Sequence, residues 1–322
     1  MKKTLFVGSL LLLTTGLGLK PIVAQTFAKQ VVSQTQPSVT PASQPKVELL
    51  SAGAQPQQVL RFKPAVNTIE TATITLNTAM EMSIPGMPAP RSTKLPSTLM
   101  KMETVVTQVD PNGDIHYKFR YTDADMKGDA SIPAGVLNTA RAQVKKIVGL
   151  NGSFVMDDRG HTKSMSLTIP KSVDAMTRQM LEQSFRSLDQ LSVPLPEVAV
   201  GVGAQWKTLM PVKIYGMMLN QTETYELVSL KDGAATLKVS VDQQAQGQKL
   251  TIPGMPKGAN VTLKSLNTTG QGESKVRFDR LMPSISTLSM TSSAQMQLPN
   301  PRTSAVTTIA TKTQIEMMLQ SK

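Results

Sequence analysis

Residues 103–125 read ETVVTQVDPNGDIHYKFRYTDAD, and residues 223–244 read ETYELVSLKDGAATLKVSVDQQ. In each, apolar and polar residues alternate, the pattern breaks at Asn112-Gly113 or Asp232-Gly233, and alternation resumes. An Asn-Gly or Asp-Gly between alternating runs is the strongest short-range signal for a β-hairpin, because both turn positions need the positive φ these residues tolerate. A second correspondence follows: GSFVMDDRGHTKSMSLTI from Gly152 and ESKVRFDRLMPSISTLSM from Glu273. Val155 falls on Val276, Asp158-Arg159 on Asp279-Arg280 and Leu167 on Leu288. The turn glycines set a repeat of 120 residues and the second hairpin agrees within one residue, which predicts an internally duplicated β unit.

Long alternating strands precede both hairpins, ETATITLNTAMEMSI at 70–84 and QWKTLMPVKIYGMML at 205–219. Two stretches have helical spacing instead. In 134–148 the helically spaced residues are Val136, Leu137, Ala140, Val144 and Val148; in 172–191 they are Val173, Met176, Met180, Ser184, Leu188 and Leu191, with Ser172 as N-cap and Pro194 as stop. A sheet with one buried face keeps its strands alternating, and helices gathered on one side make an α+β fold. The expected architecture is a large curved antiparallel sheet, a half-barrel, with two amphipathic helices on its concave face.

The N-terminus, MKKTLFVGSLLLLTTGLGLKPIVAQ, places Lys2 and Lys3 before an apolar run at 5–13, and Ile22 and Ala24 suit cleavage before Gln25. That is the three-part pattern of a signal peptide over 1–24, and its apolar run is shorter than the roughly 20 residues a spanning helix needs. Retention as an uncleaved anchor is the alternative. Residues 25–57, including QTQPSVTPASQP, lack the large apolar side chains that offset ordering entropy and read as a disordered tether. The remainder, 58–322, reads as one α+β domain of two β units, about 58–195 and 196–322, since no second low-complexity linker interrupts it.

The 322 residues contain no cysteine, which excludes disulfides, a lipid-modified cysteine, thiol nucleophiles and thiolate metal sites. Without Lys2, Lys3 and Lys20 the net charge of +12 falls to +9, so an exported chain would be drawn to anionic lipid or wall polymer. The basic residues are scattered and aromatics make up 4%, which argues against nucleic acid as partner. The two histidines, His116 and His161, sit in a strand and in a turn, and read as packing or surface groups. Asp123/Asp125 and Asp157/Asp158 lack the spacing of a calcium loop, Gly201 and Gly203 lack the third glycine of a dinucleotide site, and no G-x-S-x-G elbow exists. The chain is therefore expected not to be an enzyme and to need no cofactor or metal. A weak hydrolase using His116 or His161 stands as a third reading.

Methionine is the unusual component, 20 residues against seven Phe and one Trp. Met80/Met82 and Met100/Met102 are spaced by two, so each pair shares one strand face. Met176 and Met180 line a predicted helix, and Met87 and Met255 sit in two copies of IPGMP, at 84–88 and 252–256. The copies are 168 residues apart, off the 120-residue register, and read as strand terminators with an apolar tip. Thioethers re-pack around varied apolar ligands, so these eight methionines are the candidate ligand-binding residues. They can equally be core filler where aromatics are scarce, or a soft Cu(I) site.

The signal peptide, the Gln/Ser/Pro tether, LRFKP at 60–64, the paired DPNGD and KDGA turns and VGVGAQW at 200–206 together resemble an uncharacterised family of secreted bacterial proteins of unknown function, over about 59–318. More distantly the pattern resembles the half-barrel of envelope lipoprotein carriers and lipid-binding lipoproteins (LolA/LppX-like), without their lipidation cysteine. That resemblance implies an apolar cavity for acyl chains. The expected function is a soluble, exported, periplasmic or extracellular protein that binds an apolar small molecule or lipid. The alternative is a structural or interaction module with a dry core.

Overall fold

Asp232 and Gly233 have φ of 51° and 71°, the two-residue turn that suits strand twist, and they join β9 (Met217–Lys231) to β10 (Ala234–Leu250). The first hairpin joins β4 (Ser97–Val109) to β5 (Ile115–Lys127) through a longer loop closed by Asp110 N–H to the Asp114 carbonyl, 2.8 Å, and by Gly113 N–H to the Asp110 carbonyl, 2.9 Å. The computed structural model describes residues 46–86, 91–128, 132–174, 177–178, 181–182, 195–214, 217–250, 261–299 and 306–322. Among these the fold is chiefly one large antiparallel sheet that does not close.

The remaining strands are β1 (Lys46–Ser51), β2 (Ile69–Ser83), β3 (Arg91–Lys94), β6 (Asn151–Met156), β7 (Thr162–Thr168), β8 (Gln205–Ile214), β11 (Val261–Arg277), β12 (Ile285–Pro299) and β13 (Val306–Ser321). Their order is β1-β8-β9-β10-β11-β12-β13-β2-β4-β5-β6-β7, with β3 beside β2. Each half is a meander of sequential neighbours, and β13 inserts between them, pairing Ile285 with Gln320 on one side and Ile74 with Leu319 on the other. β1 lies within the stretch read as tether: its side chains are nearly all exposed, but its backbone pairs with β8 from Lys46↔Leu209 to Ser51↔Gln205. The candidate tether and leader at 1–45 lie outside the described residues.

The two halves share register. Phe119 is paired with Gly152 in β5–β6, and 120 residues later Val239 is paired with Gly272 in β10–β11. Leu167 and Leu288 flank those glycines equivalently. β6 slides by one relative to the sequence comparison, because Met156, not Val155, holds the buried place of Val276: Met156 is opposite Ile115, and Val276 is opposite Ala235, 120 residues on.

Of the two expected helices, one is described whole: α1 (Ala134–Val144), continued by a 3-10 turn to Ile147. It packs beside β5 through half-buried Leu137 and Ala140 and buried Val144 and Ile147, and Arg141 Nε donates to the Met126 carbonyl, 2.8 Å. Val136 and Val148, expected on its apolar face, are exposed, and Val148 lies past the 3-10 turn in extended backbone. Most of 172–191 lies outside the described residues. Asp174, rather than Ser172, caps its start, accepting from Thr177 N–H at 2.9 Å.

LRFKP does not simply lead into a strand. Phe62 N–H donates to the Asp158 carbonyl and Lys63 N–H to the Phe278 carbonyl, 2.7 Å each, so the segment straps the two equivalent turns β6–β7 and β11–β12. Leu60 and Phe62 are buried beneath it, Phe62 packs edge-on to Phe278, and Arg61 donates to the Pro196 and Glu197 carbonyls at 3.0 and 2.9 Å. Nearby, Gly201 and Gly53 mark a close crossing: a Cβ on Gly201 would lie 1.8 Å from the Ala54 carbonyl oxygen. The VGVG stretch is thus a tight junction. One buried core runs through both halves, from Leu60 to Leu319.

Candidate ligand-facing interior

Strand alternation gives the sheet one inward face, and that face changes character along the strands. Nearest the strap it is buried and mainly apolar, with Trp206, Tyr225, Leu237, Leu288, Met317 and Leu76 buried beside the hydrogen-bonded pair Ser274 and Ser286. Next comes a polar belt running from β9 to β13, in which Gln221 faces Gln243, Gln243 faces Thr268, Thr268 faces Ser292 and Ser292 faces Thr313. Gln243 Nε2 donates to Gln221 Oε1 at 2.6 Å, and Thr268 Oγ1 donates to Ser292 Oγ at 2.8 Å. Beyond the belt the face is apolar again, with Leu219, Ala245, Val261 and Leu263 buried and Met82, Met217, Leu250, Leu266, Met296 and Ile309 half-buried.

Glu223 sits at the boundary of belt and core, 4% exposed. Tyr225 donates its hydroxyl to Glu223 Oε2, and Gln221 Nε2 donates to Oε1 at 2.9 Å. Burial pushes the Glu223 carboxyl up to about 7, against the pull of those two hydrogen bonds. Burial and the neighbouring Glu223 in turn raise the Tyr225 phenol well above its usual value. Tyr225 stacks on Trp206, ring centroids 5.7 Å apart, and Thr208 faces Glu223 across the ladder. Among the described residues, Trp206 Nε1 and Thr208 Oγ1 are buried without a hydrogen-bond partner.

The eight candidate methionines do not form one site. Met100 and Met102 are core residues, 2% and 3% exposed. Met80 and Met82 continue the inward face of β2 past the core and are half-buried, facing Thr313 and Thr311 of β13. Met87, Met176, Met180 and Met255 lie outside the described residues. β2 does end at Ser83, ahead of a Pro85-Gly86 turn with φ of 85° at Gly86. The polar belt was missed in the sequence, although Gln221 and Glu223 stand in phase with Tyr225 and Leu227. Met102 pairs with Tyr121 as Glu223 pairs with Val241, so the first unit places Met-x-Met where the second places Gln-x-Glu.

The other candidate groups close turns. His116 Nε2 lies 2.7 Å from Asp110 Oδ2, a contact that holds the Asp110 carboxyl below its usual value. Buried His161 contacts Asp157 Oδ2 at 2.8 Å, while Asp157 Oδ1 accepts the N–H groups of Arg159 and His161. Asp123 and Asp125 pair with Lys101 and Arg141, 3.3 Å each. Among the described residues no cluster of three or more His, Asp or Glu could hold a metal ion. On the outward face of β9–β12 two adjoining open hollows of about 490 and 520 Å³ are lined by Thr224, Ser240, Gln271 and their neighbours.

The class defined by these features is an open, antiparallel β-meander protein with a zoned interior. Residues 140–282 match a family of unknown function (DUF6263), a span crossing both halves of the sheet. No curated protein matches the chain. Among solved structures, the outer membrane protease OmpT of Escherichia coli is similar at 10% identity and a TM-score of 0.23, over 82% of this chain and 99% of that one. No helix among the described residues is long and apolar enough to cross a membrane.

Proposed function

We propose that this is a non-enzymatic, exported envelope protein whose interior binds or shields an apolar ligand, a lipid. The observation that carries the reading is the outer zone of the inward face, where half-buried side chains lie beside buried Leu219, Ala245 and Leu263. There, apolar side chains continue the strand pattern beyond the sealed core and are rich in adaptable methionine. In this reading the sheet is a half-barrel derived by duplication of a five-stranded unit, residues 172–191 form a second helix against its concave face, and 1–24 direct export. The basic excess brings the protein to anionic membrane. Mass spectrometry of organic extracts from purified mature protein should find co-purified lipid. Protein that extracts clean, with an interior filled by its own side chains, would refute the proposal.

A dry structural or interaction module is the second reading. It is favoured by Met100 and Met102, which are packed in the core rather than presented to a ligand. Cross-linking that captures a stable protein partner, together with lipid-free extracts, would select it.

A further inference from the structure

We propose that the inward surface formed by Trp206, Thr208, Gln221 and Glu223 is a subsite for the uncharged polar end of an amphiphile, an alcohol, ester or amide able to donate and accept hydrogen bonds. The inference rests on the lipid-binding reading above and narrows its ligand class. Buried polar atoms are almost always paired, and the exceptions point to a missing partner. Here two such exceptions are neighbours. The Trp206 indole N–H is a donor only, and the Thr208 hydroxyl can donate or accept; both are fully buried and unpartnered among the described residues. Trp206 faces Tyr225 and Thr208 faces Glu223 on adjacent strands, so the two orphan groups flank the hydrogen-bonded carboxyl.

The chemistry of the set selects a neutral group. A carboxylate or phosphate would be brought against a buried acid with no cation beside it on the described strands: the side chains facing it from β8, β9 and β10 are Thr208, Met210, Gln221, Tyr225 and Val241. A pure alkane would leave both orphans unpaired. A hydroxyl or amide satisfies Trp206 as acceptor and Thr208 as either partner, while its chain lies along the methionine-rich zone beyond the belt. Met210, opposite Gln221, and Met290, beside Gly270, supply side chains that can shift to admit it.

Trp206 is the sole tryptophan, so its emission reports this subsite directly. Titration of delipidated protein with 1-monooleoylglycerol should shift that emission saturably, with oleate and octadecane at least fivefold weaker. Thr208→Val should weaken monooleoylglycerol about fivefold, the scale of one neutral hydrogen bond, and leave octadecane unchanged. Leu209→Ala, at an exposed outward position of the same strand, should retain binding, which separates loss of the subsite from misfolding. If all three probes bind alike, or T208V binds monooleoylglycerol like the wild type, the headgroup subsite is wrong while lipid binding stands. If no probe binds and an experimental map shows only water on Trp206 and Thr208, both proposals fall.

Discussion

Gly272 lies across the ladder from Val239, and its missing side chain is what lets the strands close. A Cβ there would sit 2.3 Å from the Thr287 carbonyl oxygen and 3.2 Å from Val239 Cγ1. At the equivalent Gly152 it would sit 2.3 Å from the Ser166 oxygen and 2.6 Å from Phe119 Cε1. Gly152→Ala and Gly272→Ala should each cost about 1–3 kcal/mol through forced backbone displacement. Gly247→Ala, whose nearest neighbour would be 3.7 Å away, should change far less. Urea denaturation of the three variants decides this, and equal midpoints would show that the shared register carries no packing constraint.

Glu223 predicts a pH dependence with a definite sign. Its folded value, about 7, lies above the ordinary carboxyl value of 4.5. Between those values the native state binds more protons than the unfolded chain, so unfolding free energy falls as pH rises, and the loss is complete above about 7. The full effect is roughly 3 kcal/mol at most. Glu223→Gln removes the titrating group, so this variant should be the more stable protein at pH 8 and show a flatter profile between pH 5 and 7. A wild-type midpoint that rises across that range would contradict the assignment.

Glu70 ties β2 to the loop after β11. It is 2% exposed, and its two carboxyl oxygens accept the N–H groups of Leu281 and Met282 at 2.5 Å each. Glu70→Ala strands two buried donors and should cost about 3 kcal/mol, with Glu70→Gln recovering part of that because one acceptor oxygen remains. Hydrogen exchange at Leu281 and Met282 should rise selectively in both variants. Unchanged protection there would mean that the loop is held by its other contacts.

The parts of this fold legible in sequence are those set by local chemistry. Asn112-Gly113 and Asp232-Gly233 announce hairpins because the positive φ taken by Gly113, Asp232 and Gly233 is a property of those residues themselves. The strap is different: Phe62 and Lys63 hydrogen-bond through backbone atoms to turns about 96 and 215 positions away, and no side-chain pattern encodes such pairings. β1 escaped notice because its exposed side chains resemble those of a linker while its ladder bonds are formed by the main chain. Within the site, period two correctly put Met80 with Met82 and Met100 with Met102. It could not say where along the strand the core ends. That boundary separates one pair from the other, and it depends on how far the neighbouring strands extend. Gln221 and Glu223 were readable as polar residues on an apolar face, but their alternation was absorbed into the hairpin signal.

The same boundary separates two kinds of methionine experimentally. Met100 is enclosed between Ile74 and Ala124 on neighbouring strands, so Met100→Ala removes buried volume and should cost about 2–5 kcal/mol. Met82 is half-buried beside Thr311 and Arg91, and Met82→Ala should cost under about 1 kcal/mol, since solvent already reaches the site. Ligand occupancy should order them oppositely. At a temperature where both variants are folded, Met82→Ala should reduce the lipid recovered by extraction, while Met100→Ala should retain it. If Met82→Ala leaves both stability and lipid content at the wild-type level, the half-buried zone is solvated surface rather than a binding wall, and the dry-core reading gains accordingly.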